Sequence, residues 1–191
     1  MRSGTGDPAG NDAAPATGDQ PVPGAAPSPA VDLRAALPDL TGDDVLAVPV
    51  SDGGDLPPWL TGPAQFDAVP VDVGLLAAVL RDDRNTGRAG SLSTLSPAGR
   101  RPRTVLAVGA GSGTRPDLRA YAAAAVRRAQ AAAEAGVRRL VLTLDAAAAP
   151  AGADEVRAAV EAVLLAGYRY RETSAPHPPR LERVVVVAAD A

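Results

Sequence analysis

The 191-residue sequence contains no cysteine and no lysine, one histidine, and only 3% aromatic residues. Each shortage closes a class of chemistry. Without cysteine there is no disulfide framework, no thiolate nucleophile and no cysteine metal site, and the composition suits a reducing cytoplasm. Without lysine there is no Schiff base, amine nucleophile or lysine metal ligand, and all 19 basic residues are arginine. The lone imidazole, His177, lies between prolines, so a transition-metal site would have to be built from carboxylates around it. No G-x-S-x-G stretch occurs, so no Ser-His-Asp assembly follows from that histidine. A formal charge of -3 and few aromatics argue against a nucleic-acid surface. No apolar run approaches the ~20 residues of a membrane span. The first ten residues have no apolar stretch behind a basic end and do not read as a secretory leader.

What is present is enough apolar residue, 46% of the chain, for one core. Residues 1–38 read as an Ala/Gly/Pro-rich tail, disordered to about residue 30, with order beginning near Val31 and 32–37 able to form a turn of helix before Pro38, and residues 39–191 read as the folded domain. The sequence from 104 to 144 organises the rest. T-V-L-A-V runs into glycines, a long alanine-rich helical pattern closes at Gly136, and V-R-R-L-V-L-T-L follows. That is a strand, a crossover helix and a parallel strand. Asp43 to Val50 is a further strand whose Pro49 suits an edge position or the strand's end. Asp72 is placed to cap a helix over 73–80 with Leu75, Leu76, Val79 and Leu80 on one face. The stretch R-D-D-R-N-T-G-R-A-G reads as an exposed loop, and 91–95 as a strand hairpinned to the one beginning at Thr104. Thr114 is a plausible N-cap for the alanine-rich helix, with Leu118, Tyr121, Ala122, Ala125, Val126 and Ala129 inward. A second helix over 154–166 faces Val156, Val160, Val163 and Leu164 inward, and 181–189 is the most apolar strand. The fold class is therefore α/β: a mixed, mostly parallel sheet flanked by helices. Trp59 is placed to cap its core.

The candidate binding feature is the turn Gly109, Gly111, Gly113 and Thr114 between strand and helix. Amides at such a helix start can hold an anion. A dinucleotide fingerprint needs G-x-G-x-x-G and an acid ~20 residues on. Here the spacing is G-x-G-x-G, Thr114 stands where the third glycine belongs, and Asp145 lies too far along. A tight strand-to-helix turn is the competing reading. The pairs Asp43–Asp44 and Asp82–Asp83, and the arginines from 100 to 103, read as solvated charge.

The order of several loose motifs adds a resemblance. D-A-V-P-V-D-V-G-L-L, the loop N-T-G-R-A-G-S-L, the strand V-L-A-V-G-A-G-S and V-E-A-V-L-L-A-G-Y-R-Y-R-E-T before a V-V-V-V strand together resemble the N-terminal domain of the leucyl (cytosol) aminopeptidase family. The resemblance covers about residues 43–189. It implies a non-catalytic α/β module similar to macro domains, a three-layer sandwich that contributes to subunit contacts in an oligomer. In that family the module is fused to a C-terminal catalytic domain that holds two divalent metals, zinc or manganese, and removes N-terminal residues from peptides. The implied partners are that catalytic domain or other copies of the chain, in the cytoplasm. The family's N-T-D-A-E-G-R stretch and its lysine and carboxylate ligands match nothing here, so no catalytic or metal residue carries over and the chain contains no cofactor site of that kind. Ser112 replaces the lysine that usually follows the glycine turn, which weakens an anion-binding role there. The other expectation is a macro-like module binding ADP-ribose or a related nucleotide through Gly109, Gly111, Gly113 and Thr114.

Overall fold

A computed structural model describes residues 28–61, 71–99, 101–145, 151–168 and 180–189. Strands β1 (Ala30–Arg34), β2 (Asp44–Ser51), β3 (Leu92–Leu95), β4 (Thr104–Gly111), β5 (Arg139–Thr143) and β6 (Arg183–Val187) form one sheet in the order β1-β6-β5-β2-β4-β3. Every pairing is parallel except β3 with β4. Helices α1 (Pro58–Thr61), α2 (Val73–Asp82), α3 (Arg115–Ala132) and α4 (Ala153–Gly167) complete the fold.

Strand alternation divides the apolar residues between two cores. Val45 and Ala47 of β2, with Leu140, Leu142, Val184 and Val186, meet α3 and α4. Leu46, Val48 and Val50, with Val141 and Val185, meet Leu60, Leu76 and Leu80 of α1 and α2. The sheet is thus the middle of three layers, and its inner strands are apolar on both faces, as parallel strands must be. The inward face of α3 is the expected set, all buried. Ala122, Ala125 and Ala129 leave little between helix backbone and sheet, so this layer packs closely. A short 3-10 turn (Ala133–Ala135) prolongs the helix before Gly136 ends it at φ 94°, a left-handed conformation that glycine adopts without a Cβ penalty.

Five expectations are corrected. Residues 30–34, within the stretch assigned to the tail, form β1, because pairing with β6 satisfies the edge of a buried strand and seats Val31 against the first core; residues 1–27 lie outside the described residues. Pro49 sits in a central strand rather than at an edge, two residues from that strand's end, which is the other position expected for it. Arg139 N donates to Asp43 O while Arg103 N donates to Asp44 O, so odd-numbered β2 residues face β5, and β5 pairing stops at Ala47. The donor that Pro49 lacks would have met the Thr143 carbonyl, beyond the end of the ladder, and that carbonyl accepts instead from Tyr121 OH at 2.7 Å. Leu75 and Leu164 lie on helix flanks and are exposed, leaving Leu76 with Leu80, and Val156 with Val163, as the buried stripes. Asp44 is not solvated. Its carboxylate is buried and accepts from Arg139 Nε at 2.8 Å and Nη2 at 2.6 Å, and from Thr41 N at 2.6 Å. The fifth correction concerns the loop after α2, described below. Trp59 does pack at the rim of the second core, and its indole N–H donates to Asp145 O at 3.2 Å.

Candidate functional site

The glycine turn leaves the C-terminal end of β4, beside the end of β2, where open α/β sheets place ligands. Its residues are brought together as the sequence implies: Gly109 and Gly111 close β4, and Gly113 and Thr114 lead into α3. The loop over 84–91 folds against them. Gly111 N donates to Gly87 O at 2.9 Å, Gly109 N to Ser91 O at 2.8 Å, and Gly90 N to Gly109 O at 2.8 Å. The loop also binds the turn after β2, through Gly53 N to Thr86 O at 2.9 Å.

Asn85 is the hub of this loop and the residue that sequence reasoning missed. It is buried, within a stretch expected to be exposed, and all of its amide is used. Nδ2 donates to Ser93 Oγ at 3.2 Å and Ala107 O at 3.3 Å; Oδ1 accepts from Gly87 N at 3.1 Å and Ser91 Oγ at 2.6 Å. The bond from Gly87 N is an Asx turn, and N-T-G was its visible signal. Gly87 stands at φ 82°, and a Cβ there would overlap the Ser51 carbonyl. A Cβ on Gly109 would overlap the Arg88 carbonyl and Ser91 Oγ. Close approach of two backbones thus accounts for the first glycine of the turn.

The other glycines answer to conformation. Gly111 and Gly113 both have positive φ, 56° and 78°. Beside Gly111 the chain supplies its own anion at the start of α3. Asp117 Oδ2 accepts from Thr114 Oγ1 at 2.7 Å and Ser112 Oγ at 3.0 Å, and these bonds, Thr114's first, hold the carboxyl below the ordinary carboxylate range. Thr114 occupies the N-cap position, yet its hydroxyl serves Asp117 rather than a backbone N–H. A fixed negative charge in the first turn suits the helix dipole and opposes an incoming phosphate. An anion here would have to displace Asp117 or bind over it.

Elsewhere Asp145 and Tyr121 serve structure. Asp145 Oδ1 accepts from Ala151 N at 3.2 Å and Oδ2 from Ala189 N at 3.0 Å, tying the ends of β5 and β6. Tyr121 OH, fully buried, donates between Thr143 O and Ala47 O, and burial pushes its pKa far up. His177 and Arg100 lie outside the described residues. Among the described residues no three His, Cys, Asp or Glu side chains converge. Among the described residues no helix is long and apolar enough to cross a membrane.

Comparison with known proteins identifies the architecture. No curated protein sequence matches the chain. Among solved structures, a tomato leucine aminopeptidase mutant (K354E) is similar in fold, with a TM-score of 0.60 at 18% identity over 86% of this chain and 33% of that one. The bottromycin maturation enzyme BotP is 29% identical over 77% of this chain and 28% of its own, with a TM-score of 0.52. The same enzyme in complex with Mn gives 29% identity over 77% and 27%, with a TM-score of 0.51. The chain therefore spans about a third or less of the length of these relatives. A profile described as the cytosol aminopeptidase family, N-terminal domain, matches residues 47–175, about two thirds of the chain, so the chain belongs to the cytosol aminopeptidase family and corresponds to its N-terminal domain.

Proposed function

We propose that this chain is a non-catalytic assembly and regulatory module of a metal-dependent aminopeptidase, acting in the cytoplasm together with a catalytic domain that carries two divalent ions. The observation that carries the reading is the match of residues 47–175 to an aminopeptidase N-terminal domain in a chain that spans 33% of the tomato enzyme's length. The glycine turn adds support, since its three glycines answer to packing and backbone conformation and its helix start already holds the Asp117 carboxylate. Catalysis in the assembled protein would use the metals to activate water and polarise the scissile carbonyl. This chain's part is to hold and place the domain that binds them.

The test is hydrolysis of leucyl-p-nitroanilide with manganese or zinc, by the purified chain, by a separately expressed catalytic domain from the same source, and by their mixture. Activity that rises only in the mixture, with co-elution on sizing, supports the assembly role. Activity unchanged by the chain, with no co-elution, sinks it. Stabilisation of the chain by ADP-ribose would instead support a macro-like nucleotide module working through Gly109 to Thr114.

A further inference from the structure

Strand β1 leaves one edge of the sheet open in a way that fits a second copy of itself. Ala30 N donates to Glu182 O at 2.9 Å and Arg34 O accepts from Ala188 N at 3.0 Å. In a parallel ladder the residues of that parity, Ala30, Asp32 and Arg34, give both backbone groups to β6. The amides and carbonyls of Val31 and Leu33 therefore point away from the sheet, and among the described residues nothing pairs with them. An open edge of this kind is a template for strand addition.

The side chains around the edge are apolar on one face and charged on the other. Leu33 lies beside Val186, on the α4 side of the sheet, and is 52% exposed. The last turn of α4 abuts the start of β1, because Gly167 sits directly against Pro29. The flank of that helix turned away from α3, whose side is marked by the Arg119–Glu161 ion pair, carries Leu164, 43% exposed, and leads to Tyr168, 53% exposed. On the opposite face Asp32 pairs with Arg183 at 3.1 Å, and Arg34 follows two residues later.

We infer that β1 pairs antiparallel with β1 of a second copy about a two-fold axis through Leu33. Pairing about a two-fold must bring the outward residues opposite one another. Centring it between Val31 and Leu33 would set Asp32 against Asp32 of the second copy, like charges directly opposite. Centring it on Leu33 sets Asp32 against Arg34 and Arg34 against Asp32, two opposite-charge pairs, with Leu33 meeting its own copy. A two-fold through Val31 sets Asp32 against Ala30, so of the registers centred on Val31, Asp32 or Leu33 only the last sets opposite charges against each other, and it joins two six-stranded sheets into one. This inference rests on the proposed assembly role and names the surface that role would use.

The absence of native cysteine makes the test direct. Hydrogen-bonded antiparallel partners stand about 5.5 Å apart at Cα, inside the range of about 4.4–6.8 Å that a disulfide spans. The full-length chain is examined by sedimentation velocity across a wide concentration series, as wild type and as R34D, and L33C is oxidised beside L92C, a control on the opposite edge strand. The expected results are a concentration-dependent dimer, association about tenfold weaker in R34D, and L33C cross-linking about tenfold or more faster than L92C. A monomer at every concentration overturns the inference, as does a dimer that R34D leaves unchanged or in which L33C reacts no faster than L92C. None of these readouts uses a catalytic partner, so they fail or succeed independently of the peptidase assay.

Discussion

The glycine turn after β4 and the open edge at β1 are opposites. The turn looks functional in sequence, yet its three glycine amides are bonded within the chain, a Cβ on Gly109 would overlap the Arg88 carbonyl, and the Asp117 carboxylate stands at its helix start. The edge looks like the end of a featureless tail, yet among the described residues nothing pairs with the outward backbone groups of Val31 and Leu33, and Leu33 is exposed. A glycine cluster at the end of a parallel strand therefore does not by itself indicate a ligand. Where each glycine has a packing partner or a left-handed φ, the turn has a sufficient structural cause.

That contrast can be broken most severely at Gly87. G87A forces a Cβ into the Ser51 carbonyl at positive φ, and strain plus overpacking should cost about 4 kcal/mol or prevent folding. A urea midpoint little changed from wild type would mean that loop 84–91 is not clamped to β2. N85A comes next. It strands the Gly87 amide and the Ser91 hydroxyl, and should lower unfolding free energy by about 3 kcal/mol in the same assay. The effect of D117N should be smaller, about 1 kcal/mol at neutral pH, as for the loss of a charge at a helix start.

The pH dependence of D117N follows from the lowered pKa of Asp117. Its folded value lies below the ordinary 3.8, so its contribution is complete above that value and is lost as pH falls through the folded one. Wild type and D117N should therefore converge in acid, which thermal melts across pH would show. L33R should have the smallest effect on folding, under about 0.5 kcal/mol, because Leu33 is more than half exposed. It should nonetheless abolish association, sharpening the distinction between a region that holds the fold and one that meets a partner.

Much of the fold was legible because hydrophobic period and glycine punctuation agreed. The β4–α3–β5 unit, the Asp72 cap, which accepts from Leu75 N at 2.9 Å, and the β3–β4 hairpin all follow local rules. What local rules could not show was tertiary pairing. β1 exists because β6 needs a neighbour, Asp44 is buried because Arg139 arrives from 95 residues away, and Asn85 is buried because its amide bonds Ser93 of β3 and Ala107 of β4. The glycine turn was legible as a position but not as a function, since only the partners of each glycine separate a cradle from a packed turn.

Amide hydrogen exchange of the full chain, measured at low and high protein concentration, tests the contrast most directly. The account predicts strong protection at Gly87, Gly109 and Gly111 at both concentrations, and fast exchange at Val31 and Leu33 that slows only when the protein is concentrated. Rapid exchange at the three glycines, or protection of Val31 and Leu33 already in dilute solution, would contradict it.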